Sequence, residues 1–408
     1  MVWALVVAWS AVAQAVEAPI PTPLEVLAFD ATPGCPTAEP GETPKVVRTN
    51  FGLARHLGDG TFGYGCPSAL GGVADAQVAA DPTAQTLIAV GPTGLWRSED
   101  GGCRASLLTL APGDVGYAAL FWRNAFWLLA AHSEDPGASL YRMEVDTSEP
   151  VRLLTWADFR PDGMIGEDAS ALWLAGATPA PQLRRIALEG GLSGDTPIAP
   201  LPVTSDLQAL RPVAARAGEA WIRAERRTAS GLWEALSVSG GSQGLVIVTD
   251  AGVDGRSVLG PVWFGDAWLA AVDQQPLQTP FGTPSWSPVG APVGWTCLGQ
   301  LGTTVWACSV GVLDRLVSYR EDGSIKAKSL FLLDQIVPGS CPGDACAEDL
   351  ATLAAPAGVA ENEEPALCPD GATARDLGLT EGCGCTSTRA PAGVGVLALL
   401  WLARRRRL

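Results

Sequence analysis

Ser98-Glu99-Asp100-Gly101-Gly102 is the stretch whose residue types could do local chemistry. A serine hydroxyl and an aspartate carboxylate two positions apart can both hydrogen-bond the backbone of a turn, and a glycine at the end supplies positive φ. That chemistry ties a turn shut; it is weak evidence for catalysis. A second candidate, Tyr319-Arg320-Glu321-Asp322-Gly323, again follows a third strand and offers Asp322 and Gly323, though its serine is shifted to Ser318. Gly52-Leu53-Ala54-Arg55 matches Gly94-Leu95-Trp96-Arg97, and Gly58-Asp59-Gly60 continues it as a decayed copy of the first turn. Metal chemistry is poorly provided for. The two histidines, His56 and His132, lie far apart with no cysteine or carboxylate at ligand spacing. Asp250-Ala251-Gly252-Val253-Asp254-Gly255 could touch calcium, but Asp/Gly turns usually only turn. There is no G-x-S-x-G, phosphate loop or dinucleotide fingerprint, and no cofactor is expected.

The cysteines carry a different chemistry. Ten in 408 residues point to an oxidising compartment. Cys297 and Cys308 sit symmetrically about Gly302-Thr303, so a hairpin there would set them opposite one another, and a disulfide is predicted. Cys66 and Cys103 each follow a Gly-rich turn and are a second candidate pair; the remaining connectivity is open.

The elements that must position these residues are short strands. Trp127, Trp173, Trp221, Trp268 and Trp306 each sit in a short apolar segment, and Val47 and Ile88 sit in weaker copies. Successive members are 38 to 48 residues apart. Between them run strands of four to seven residues punctuated by Gly, Pro, Asp and Ser turns. In the unit around Ile88 the strands fall near 76–80, 86–90, 95–98 and 106–110, and the next unit gives 118–122, 126–131, 140–145 and 151–156. A period of this size built from antiparallel meanders predicts an all-β propeller of about seven four-stranded blades, with six or eight also compatible. It would span residues 24–335, with Val26 to Phe29 completing the last blade. The indoles are expected to fill the wedges between neighbouring sheets.

Bulk composition agrees. Hydrophobic residues make up 47% and charged residues 17%, enough for a large core. A formal charge of −16 disfavours nucleic acid, since no basic groove is available for phosphates.

The ends suggest an address. Met1 to Trp9 is apolar and leads into Ala11-Val12-Ala13-Gln14-Ala15, which reads as a signal peptide over 1–17, though no Lys or Arg precedes it; a buried first strand is the alternative. Residues 336–382 read as an acidic, Cys-containing linker. Cys383-Gly384-Cys385 is followed by an apolar run from Ala392 to Ala403 and then Arg404 to Arg407. The run is too short for a comfortable membrane span but suits a transient stop, with the arginines cytoplasmic; a plain anchor is the alternative.

Two resemblances follow from these residues. The tail over 383–408 resembles the MYXO-CTERM sorting signals of myxobacterial surface proteins. That resemblance implies cleavage by a sorting protease, with Cys383 or Cys385 retained and lipid-modified. The Ser98–Gly102 turn resembles the Asp box of sialidase-like (BNR) propellers. Sialidases need three arginines, a tyrosine nucleophile paired with glutamate, and an acidic proton donor. Only four tyrosines are present, and Phe159-Arg160-Pro161, similar to part of that family's motif, lies mid-chain. The expectation is therefore a secreted, surface-anchored, non-enzymatic binding or adhesion module with an unknown surface glycan or envelope protein as partner. A glycosidase and an envelope assembly scaffold are the alternatives. The ligand is expected on blade-connecting loops at one end of the central channel.

Overall fold

The computed structural model describes residues 23–29, 44–57, 61–70, 72, 77–91, 93–133, 137–167, 170–177, 180–188, 195–198, 208–228, 231–240, 246–249, 258–281, 286–309, 312–320, 324–332, 335–337 and 346. The stretch expected to be a signal peptide, Cys383, Cys385, the C-terminal tail, the Asp250 to Gly255 stretch, Asp322 and Gly323 lie outside them.

Among the described residues, seven antiparallel meanders make seven sheets, six of four strands and one of five. Each blade begins with an inner strand: β1 (Pro23–Phe29), β5 (Val78–Ala80), β9 (Asp114–Trp122), β13 (Gly163–Glu167), β17 (Ala209–Arg216), β21 (Val258–Phe264) and β25 (Cys297–Leu301). Each of these strands contacts the next, and β25 contacts β1, so the ring is closed. The fold is a β-propeller, as the repeat predicts.

The seven marker residues all fall on second strands: β2 (Pro44–Thr49), β6 (Leu87–Gly91), β10 (Ala125–His132), β14 (Ala171–Gly176), β18 (Glu219–Thr228), β22 (Ala267–Val272) and β26 (Thr304–Ser309). All seven are buried. They are not all in phase. Ile88, Trp127, Trp173, Trp221 and Trp306 pack towards the following blade. Val47 and Trp268 pack towards the preceding one, and Val46 and Leu269 take the forward-facing place. Side chains alternate across a strand, so a slip of one residue in the alignment exchanges the faces. Each indole still fills a gap between blades; burying one is worth roughly 4–6 kcal/mol by area, as an upper estimate.

The ring closes differently from expectation. β1 does not complete the last blade; it pairs antiparallel with β2 as the inner strand of the first, Val26 opposite Val47. The closing strand is β29 (Ile336–Val337), which lies parallel to β4 (Phe62–Gly65) on the outer edge of blade one. A disulfide between Cys66 and Cys346 fixes that seam. The Cys66–Cys103 pairing is thus not formed; Cys103 is engaged in a separate disulfide. Cys297 and Cys308 face each other on β25 and β26 and are bonded.

The recurring Gly-Leu-x-Arg segments are third strands, β3 (Gly52–His56) and β7 (Gly94–Ser98). Each opens on a glycine at strongly positive φ, +142° at Gly52 and +132° at Gly94, where an L side chain would be strained. At Gly52 a Cβ would also lie 2.5 Å from the Gly65 carbonyl oxygen.

Candidate functional site

The turn after β7 is closed by the hydrogen bonds its residue types imply. The Ser98 hydroxyl donates to Asp100 Oδ1 at 2.8 Å and accepts from Gly102 N at 2.9 Å. Asp100 Oδ1 also accepts from Cys103 N at 3.0 Å and Arg104 N at 2.9 Å. Burial raises the Asp100 pKa, but these donors outweigh it and hold the carboxyl below its ordinary value. The Arg55 guanidinium of blade one donates to the Asp100 carbonyl at 3.2 Å, so the turn also joins two blades. Ser318 lies on β27 (Val312–Tyr319), exposed, while the other two members of that candidate turn are outside the described residues.

This turn forms one rim of a cleft of about 1010 Å³ between blades two and three. The cleft is not at the end of the central channel. Its walls come from third and fourth strands, away from the axis. On one side lie Arg97 on β7, Glu99 and Arg104 of the turn, and the continuous run 104–111 that includes the outer strand β8 (Ala105–Leu107). On the other lie Tyr141 on β11 (Ala138–Glu144), Glu149, and Arg152 on β12 (Val151–Trp156).

Arg97 is 8% exposed. Its Nη2 donates to the Val145 carbonyl of the next blade at 3.2 Å and meets Glu99 at 3.0 Å. Its Nε and Nη1 are buried and have no hydrogen-bond partner among the described residues. Opposite, the Tyr141 hydroxyl donates to Asp114 in a short hydrogen bond and accepts from Ala111 N at 3.4 Å. Asp114 also has Arg152 at 3.9 Å and His132 at 3.8 Å. Burial first, and the bond to Asp114 second, push the Tyr141 pKa up to about 12. At neutral pH that phenol keeps its proton and acts as a donor.

Sequence reasoning reached the Ser98–Gly102 turn but not Arg97, Asp114, Tyr141 or Arg152 as a group. They stand on four strands of two blades, so no spacing links them. Among the described residues, no three His, Cys, Asp or Glu side chains are grouped to hold a metal ion.

No family model and no curated protein matches the sequence. Solved structures resemble it in fold at low identity. An ancestral GH74 enzyme gives a TM-score of 0.48 at 11% identity, covering 77% of this chain and 48% of its own. The chain thus spans about half the length of that enzyme. YCF48 bound to D1 peptide gives 0.40 at 12% identity, covering 60% and 80%. A chain of the nidogen/laminin complex gives 0.36 at 8% identity, covering 61% and 94%.

Proposed function

We propose that the chain is a non-enzymatic binding module of the cell exterior, and that its ligand docks in the cleft between blades two and three. The observation that carries this reading is the cleft itself. At about 1010 Å³ it is at the upper end of ligand-site volumes. It combines guanidinium donors, a phenol and apolar residues from Leu107 at the end of β8 and Leu108 and Leu110 in the segment that follows. The disulfides suit an oxidising compartment. The leader-like start and the tail that resembles a MYXO-CTERM signal suit secretion followed by surface anchoring through Cys383 or Cys385. The partner is then a surface glycan or an envelope protein.

The test is a binding screen of purified protein against glycans and envelope proteins, with Ser106→Trp as the cleft-blocking variant. Ser106 is exposed on β8, so the indole fills the cleft without entering the core. The expected result is a ligand whose binding Ser106→Trp abolishes. Binding unchanged by that variant overturns the assignment.

A glycosidase on the same scaffold is the second reading. One observation favours it: a tyrosine hydrogen-bonded to a buried carboxylate, beside Arg152, in an open cleft. A chromogenic glycoside panel tests it; turnover lost in Tyr141→Phe would replace the binding reading.

A further inference from the structure

Resting on the reading of this cleft as the ligand site, we propose that it takes an extended acidic peptide, which adds to β8 as a fifth strand of blade two. Residues 104–111 line the cleft consecutively. Within that run Ala105, Ser106 and Leu107 form β8, whose side chains alternate between faces; all three border one cavity because the backbone edge looks into it. The hydrogen-bond pattern gives the same direction. Leu108 N donates to Leu95 O at 2.8 Å, so the neighbouring Leu107 turns its N–H and C=O away from β7. Among the described residues, nothing follows β8 in the sheet order β5-β6-β7-β8.

The fold already accepts this kind of addition once. On blade one, β29 supplies a fifth strand to the outer edge of β4. A peptide at β8 would repeat on blade two what the chain does for itself on blade one, and main-chain pairing of this kind is a general mode of peptide capture.

The side chains decide the peptide's character. Arg97 pairs with Ser106 and Trp96 with Leu107, so successive positions on β8 alternate between a guanidinium face and an apolar face. Arg97 is more than nine-tenths buried and borders the cleft, with Nε and Nη1 unpartnered among the described residues. Its carboxylate partner Glu99 is 67% exposed and readily replaced by an incoming carboxylate. Arg104 and Arg152 flank the same cavity, against Glu149 and against Asp100, whose Oδ1 is occupied by donors of its own turn. Leu107, 51% exposed, offers an apolar contact on the alternate face. The matching sequence alternates acidic and apolar residues.

The probe is a fluorescein-labelled Asp-Val-Asp-Val-Asp-Val peptide, measured by anisotropy against the full chain. Two backbone-methylated forms, one at every valine and one at every aspartate, test main-chain pairing without altering the protein. Only one edge of the peptide can face β8, so one of the two forms should bind at least about tenfold more weakly. A Lys-Val repeat should also be at least about tenfold weaker. Leu107→Pro removes an outward N–H but no bond to β7, and should weaken the acidic peptide by a similar factor with unchanged circular dichroism. Failure of the acidic peptide to bind at millimolar concentration overturns the proposal. So does equal binding of the Lys-Val repeat, or of both methylated forms. Self-association that Leu107→Pro disperses would assign the edge to a second copy and overturn it too. Polygalacturonate binding blocked by Ser106→Trp, with no peptide binding, would retain the cleft as the ligand site and reject strand addition.

Discussion

The gap between blades four and five and the gap between blades five and six do the same job with opposite chemistry. In the first, Glu167 at the end of β13 is 3% exposed and gathers three donors. It accepts from Trp173 Nε1 at 2.7 Å, from Arg185 Nε at 3.0 Å, and from Gly218 N in a hairpin of the next blade through a short bond. Asp162 Oδ2 bridges the same gap, accepting from Ala177 N and Leu210 N, each at 2.8 Å. In the second gap the filling is aromatic. Trp221 lies edge-on to Trp268 at 6.0 Å and to Trp286 at 5.3 Å, and Trp263 meets Trp268 at 5.2 Å. The indole nitrogens of Trp221, Trp268 and Trp286 are buried without a hydrogen-bond partner among the described residues. A wedge can thus be closed by directional bonds, which fix the angle between sheets, or by ring area, which does not. The aromatic route leaves donors desolvated and tolerates that because each ring removes so much apolar surface from water.

Breaking the polar gap should have the largest effect. Glu167→Ala leaves two N–H donors without their acceptor and a one-third-exposed guanidinium without its carboxylate, and urea unfolding should show a loss of about 2–4 kcal/mol. The paired variants Trp173→Phe and Trp268→Phe sharpen the contrast. Both remove an indole N–H, but only Trp173 donates one to a carboxylate. Trp173→Phe should therefore cost at least about 1 kcal/mol more than Trp268→Phe. Equal losses would mean the two gaps do not differ in the way described.

The smallest effect is one of pH. Burial raises the Asp162 pKa above 3.8, against the pull of the Leu210 and Ala177 amides. The folded state then holds this proton more tightly than the unfolded chain. Its contribution to stability is greatest below the unfolded value, near pH 4, and is lost as pH rises through the raised folded value. Asp162→Asn keeps an oxygen for both amides. The stability difference between variant and parent, followed by denaturation from pH 3 to 7, should move in the variant's favour as pH rises. A flat difference would remove Asp162 from the account.

Much of this frame was legible in the sequence. The strands of blades two and three fall within a few residues of their expected places, because Asp81-Pro82, Gly91 to Gly94 and Arg123-Asn124 punctuate them strongly. Trp268 is out of phase with the other indoles because an indole marks a strand but not which neighbouring blade its face meets. The place of Val26 to Phe29 in the first blade is hidden in the sequence because many residues separate it from its partner β2, and an apolar strand without a neighbour fits either end of a ring. The true closing strand is two residues long and carries no period. The cleft was illegible for a different reason: its polar groups meet only when two blades are set side by side.

The seam at blade one has a consequence for biogenesis. Ile336 reaches β4 from the far end of the ring, and Cys346 must find a thiol 280 residues earlier. The first blade to emerge is therefore the last to be finished. A chain folding as it is synthesised would hold its opening sheet one strand short until almost the whole propeller had followed. Until then the outer edge of β4 stays open to pairing with any other strand.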